Sequence, residues 1–190
     1  VATDREFYDH LRYGHYEWFG RVMDRLVESW IGQHVRYVVC DAADGHNSGH
    51  DACRLLATRA ARICRLPLFE LPLTEQPNVC PAELAAQSIW VQLDASELAE
   101  KLAVARAYAA LADELEAALE QFGSVAFCVE CLRAVESLAS LEAVLPLDPW
   151  YERYGARQVQ AGHYPSLITR NEHLVPLARF LEARSWGGTA

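Results

Sequence analysis

Lysine is almost missing from this chain: Lys101 is the only one, so sixteen of the 17 basic residues are arginine, a bias of usage that says little about mechanism. Acidic residues outnumber basic ones 26 to 17, leaving a formal charge of −9. A polyanion is held by neutralising its phosphates, so the charge balance argues against nucleic acid as the main partner. No apolar run approaches the roughly 18 residues that a bilayer-spanning helix needs, and no basic-then-apolar leader follows Val1. These absences predict a cytoplasmic protein with no membrane partner. A starting methionine is also lacking, which leaves room for a segment before Val1.

Other absences concern organisation. There is no internal repeat, no Pro- or Ser-rich linker and no block of like charge, so a single α/β domain over residues 1–190 is expected. At 52% hydrophobic and 23% charged, the composition is that of an average folded domain and excludes a disordered or low-complexity chain. The six cysteines are scattered, unlike the framework of a small secreted scaffold, and are read as reduced thiols.

The periodicities that are present give the elements. Thr3-Asp4-Arg5-Glu6 has the form of a capping box and opens a helix, whose apolar stripe through Phe7, Leu11, Trp18, Phe19, Val22, Leu26 and Trp30 is interrupted at Gly14 and ends near Gly32. Val35–Cys40 is β-branched and reads as a strand. A polar turn follows, and Asn47 or Ser48 caps an amphipathic helix with Ala52, Leu55, Leu56, Ala60 and Ile63 on one face and Arg54, Thr58, Arg62 and Arg65 on the other. Leu68–Leu73 and Ile89–Leu93 read as further strands. A seven-turn helix is predicted from Leu98 to Phe122, a helix around Cys131 to Leu141, and a last helix from Asn171 to Arg184. Strand, helix, strand in that order predicts a helix-rich α/β fold with a parallel βαβ, Rossmann-like sheet flanked by helices.

The chemistry-bearing segment is Cys40–Asp51. In open α/β sheets ligands bind beyond the carboxyl ends of strands, and this turn places Asp41, Asp44, His46, His50 and Asp51 there, all of them ligand types for a borderline cation such as zinc. A polar turn of this kind is equally explained by Asp and Asn residues that satisfy backbone N–H groups. The spacing of His46 and His50 matches the zinc-protease helix motif, but Asn47 stands where that motif needs its glutamate. Gly45 and Gly49 lack the third glycine of a dinucleotide fingerprint, and Cys128-x-x-Cys131 has no second pair, so it is read as two thiols on a helix. The aromatic cluster of Tyr8, Tyr13, His15, Tyr16, Trp18 and Phe19 is read as core, or as the contact surface of a homo-oligomer.

Asp44-Gly-His-Asn-Ser-Gly-His-Asp-Ala52, set between a Val-rich strand and an amphipathic helix, resembles the second metal motif of the PIG-L/LmbE-like N-deacetylases, which reads roughly acidic-Gly-x-His-Pro-Asp-His-x-Ala. The Lys101 helix and the aromatic Pro149–Tyr154 stretch are similar to later parts of that family. The resemblance implies that His50 is a zinc ligand, that Asp44 takes a proton, and that His46 substitutes for the histidine that polarises the substrate carbonyl. It implies a small amide-bearing substrate and a zinc-dependent deacetylase or amidohydrolase. The family's first motif, Ala-His-Pro-Asp-Asp-Glu, supplies the other two ligands and the general base. Nothing like it occurs in this chain, where the resemblance covers about residues 20 to 155, and in the family that motif precedes the region where this chain begins. The alternative is a non-catalytic relative that serves as a binding or structural subunit.

Overall fold

The computed structural model describes residues 3–72, 76, 78–110, 112–136 and 139–187, and the chain divides into two compact units. The first comprises residues 1–73 and 135–190, the second residues 74–134. Leu73, the predicted end of a strand, and residues 137 and 138 of a predicted helix lie outside the described residues.

The first unit begins as its capping box dictates. Helix α1 (Asp4–Arg12) starts at Thr3, whose side chain accepts from the Glu6 N–H while Glu6 accepts from the Thr3 N–H. Gly14, at positive φ, separates it from α2 (Tyr16–Gly32). Strand β1 (Val38–Asp41) leads through the polar turn into α3 (Ser48–Cys64), and β2 (Leu68–Leu71) follows. β1 and β2 pair in parallel, with Val38 opposite Leu68 and Asp41 opposite Leu71, as the strand–helix–strand order predicts.

The main core of this unit is built by helices. Leu11, Phe19, Met23 and Val27 meet Ala52, Leu55 and Ala60 of α3 and Leu174, Leu177 and Leu181 near the carboxyl end, all fully buried. At about 2 kcal/mol for each buried Leu, Phe or Met side chain, this cluster is the main source of the unit's stability. Of the N-terminal aromatic cluster, Phe19 is in this core and Tyr8, Tyr16 and Trp18 pack against it half-buried, while Tyr13 and His15 are exposed. Helix α6 (Trp150–Gln160) and a π turn (Arg170–Leu174) running into α7 (Val175–Ala183) complete the unit, close to the predicted last helix.

One face of α3 departs from the expectation of a solvated stripe. Arg54 and Thr58 are buried. Arg54 donates to Glu70 of β2 through Nε at 3.2 Å and Nη2 at 2.8 Å, and to Thr58 Oγ1 at 2.7 Å. Arg54 and Thr58 therefore belong to the side of α3 that packs on the strand pair, next to Ala57 and Ala61 against Val38 and Leu68, whereas Arg62 pairs with Glu182 and Arg65 is exposed.

The second unit holds β3 (Ile89–Gln92), α4 (Ala95–Ala107), α5 (Ala112–Phe122) and β4 (Val129–Ala134). β3 and β4 are antiparallel, with Trp90 opposite Cys131. Two expectations are corrected here. The seven-turn helix is two helices, because α4 ends at Tyr108 in extended backbone. Cys131 lies in a strand, not a helix: Val129–Ala134 gains ladder bonds from β3 that its local propensity could not announce. The fold class is α/β, with one parallel and one antiparallel strand pair. Among the described residues no helix is long and apolar enough to cross a membrane.

Candidate functional site

The polar turn lies beyond the carboxyl end of β1 and runs into α3, where the sequence places it. Its shape is set by its own side chains. Asp44 Oδ1 accepts from the His46 N–H at 2.9 Å, an Asx turn. Asn47 caps α3 by accepting from the Gly49 N–H at 2.7 Å, and the same oxygen accepts from the Tyr8 hydroxyl at 2.8 Å. Gly45 must be glycine: its φ is +72°, and a Cβ there would stand 2.8 Å from Pro146 Cγ and 2.9 Å from Pro149 Cα. Gly49 is similarly enclosed, because a Cβ would meet the Tyr8 hydroxyl at 2.7 Å.

The three site residues expected from sequence have separate partners. Asp44 holds the turn. His46 is exposed and stacks on Trp150, with centroids 4.7 Å apart and planes 7° apart. Trp150, itself exposed, stacks in turn on Tyr154 at 4.8 Å, so the three rings form a ladder that positions His46. His50 Nδ1 lies 2.6 Å from Asp41 Oδ2, with both side chains about two-fifths exposed. The carboxylate fixes the orientation of the ring, whose Nε2 has no protein hydrogen bond among the described residues.

Asp51 is an interior group. It is fully buried, and its Oδ1 accepts from the Gly45 N–H at 3.3 Å while Oδ2 has no hydrogen-bond partner. Burial, with Asp44 adding to it, raises its carboxyl to about 7. The Tyr151 hydroxyl is also buried without a partner, and its pKa is raised by burial and then by Asp51. The Tyr151 N–H donates to the Gly45 carbonyl at 3.1 Å, so Asp51 and Tyr151 grip the same glycine from two sides.

No activated thiol accompanies His50. Burial pushes Cys40, the thiol next to Asp41, up to about 12, the opposite of what a cysteine nucleophile at neutral pH needs. A catalytic zinc requires three protein ligands and one open position. Among the described residues no group of three His, Cys, Asp or Glu side chains is placed to hold a metal, so the residues present do not by themselves fit the zinc that the resemblance implies.

The Asp41–His50 pairing is the feature that spacing alone could not single out, although a strand-terminal acid and a histidine in the first turn of the following helix are its signature. Compared with known proteins, the chain matches no protein-family model, no curated protein and no solved structure.

Proposed function

We propose that this chain is a non-catalytic relative of the LmbE-like α/β domains, in which the turn after β1 binds a small polar, amide-bearing molecule through His50. The parallel β1–α3–β2 unit and the motif from Asp44 to Ala52 support the kinship and its Rossmann-like ancestry. The observation that carries the binding reading is the Asp41–His50 pair. The carboxylate sets the ring, and the turn around it is held by Asp44, Asn47 and Asp51, so a hydrogen-bonding nitrogen is presented at a strand end with its geometry fixed beforehand.

The same pair favours a second reading. A metal-ligating histidine usually donates its other ring N–H to a carboxylate, so Asp41 is the partner that His50 would need in a zinc-dependent amidohydrolase. Two measurements separate the readings. Zinc in the chain purified from zinc-supplemented cells is expected near background, and the His50 ring resonances are expected to shift on titration with small N-acetylated amines in metal-free buffer. Stoichiometric zinc that His50→Ala removes would overturn the binding reading and restore the enzyme.

A further inference from the structure

All six cysteines are thiols in this structure, and two of them stand together in the second unit. Cys131, in β4, is fully buried. Cys80, half-buried, reaches the same place from the segment before β3: its Sγ lies 3.5 Å from Ser88 Oγ, and Ser88 Oγ accepts from the Ala134 N–H at 3.1 Å. The residue next to Cys80 is tied to the same strand, because Arg133 Nε donates to the Val79 carbonyl at 2.9 Å. Ser88 stands directly before β3, whose Trp90 lies opposite Cys131, so its contact with Cys80 brings that thiol to the end of β3 beside Cys131, and the Cys131 thiol is raised by burial and by Cys80 as its neighbour. Cys128, the other half of the CxxC, instead directs its thiol to the Ser124 carbonyl.

We propose that Cys80 and Cys131 form a reversible disulfide that staples the second unit, made by exchange with a small-molecule disulfide of the glutathione class. Cys80 is the accessible thiol. As thiolate it attacks one sulfur of the oxidised reagent, forming a mixed disulfide and expelling one small thiol. Cys131, losing its proton, then attacks the Cys80 sulfur and expels the second small thiol. The protein gives up two hydrogens and two electrons, and one small disulfide becomes two thiols.

The staple answers a need of this unit. Its only buried hydrophobic residues among those described are Leu102, Ala126 and Cys131 itself, a thin core for a compact unit of this size. The crosslink closes the chain from residue 80 to residue 131, nearly the whole unit, and long closed loops restrain the unfolded chain most.

The test equilibrates the full chain with oxidised and reduced glutathione, traps remaining thiols by alkylation, and maps peptides by mass spectrometry without reduction. A linked pair of peptides containing Cys80 and Cys131, two hydrogens lighter than their sum, is expected, with alkylation of both falling together by at least about tenfold. Cys128→Ser should leave the link intact. Cys80→Ser, which spares the buried thiol, should abolish it and leave Cys131 unmodified. A glutathione adduct that stays on Cys80, a Cys128–Cys131 link, or two thiols that remain fully alkylatable under oxidising conditions would each overturn the proposal.

Discussion

Replacing Asp51 with asparagine should stabilise the first unit at alkaline pH and remove part of its pH dependence. The folded carboxyl keeps its proton to about 7, whereas the same group in an unfolded chain titrates near 3.8. Between those values the unfolded state binds fewer protons than the folded one, so this group makes stability fall as pH rises. At about 1.4 kcal/mol per unit of pKa difference, its cost reaches about 4 kcal/mol above pH 7 and vanishes below pH 4. Asparagine keeps the oxygen that accepts from the Gly45 N–H and puts a neutral amide where Oδ2 stands without a partner, beside the equally unpartnered Tyr151 hydroxyl. Asp51→Asn should therefore exceed the parent by about 2–4 kcal/mol at pH 8 and match it within about 1 kcal/mol near pH 4. Urea unfolding followed by tryptophan emission suits the measurement, because Trp18, Trp30, Trp150 and Trp186 all belong to the first unit. Parallel pH profiles for the two proteins between pH 5 and 8 would show that Asp51 is ionised in the folded state and refute the reasoning.

Gly45→Ala combines positive φ with contacts below 3 Å to Pro146 and Pro149, and should cost about 2–3 kcal/mol in urea unfolding. Arg54→Ala leaves Glu70 without its cation at the α3 seam and should cost about 3 kcal/mol or more, whereas the double replacement Arg54→Met with Glu70→Met should recover most of the loss. His50→Ala removes a half-exposed pair and should shift the unfolding midpoint by less than about 1 kcal/mol, while abolishing the response to N-acetylated amines. Trp150→Ala removes the ring under His46 and should broaden the His46 resonances while leaving those of His50 unchanged.

What was legible in the sequence is what neighbouring residues decide. The capping box at Thr3 and Glu6 appears as read, and of the two cap candidates Asn47 and Ser48 it is Asn47 that caps α3, both being contacts within a few residues. The β1–α3–β2 order was legible for the same reason. Arg54 and Thr58 were misplaced because their burial depends on Glu70, which arrives from another strand. β4 was misread because its ladder partner lies far upstream, and local pattern cannot see it. The candidate turn was visible as a cluster of chemical types. Its geometry was not, since Tyr8, Pro146, Pro149, Trp150 and Tyr151 come from remote parts of the chain to fix where each side chain points.

The chain's return to the first unit carries a consequence for its modularity. The N–H of Val135, the first residue after the excursion, donates to the carbonyl of Leu68 at 2.9 Å, so departure and return share one strand. Leu71 closes β2 three residues beyond Leu68, on the order of 10 Å away at the usual rise of a strand. Three or four linker residues span that distance, so the ends of the first unit that flank the inserted cassette, residues 74–134, lie close enough to be joined by a short glycine–serine bridge. By the same geometry the cassette is a natural point of exchange, where an unrelated insert with closely spaced ends could be grafted while the β1–α3 turn and its Asp41–His50 pair stay as they are.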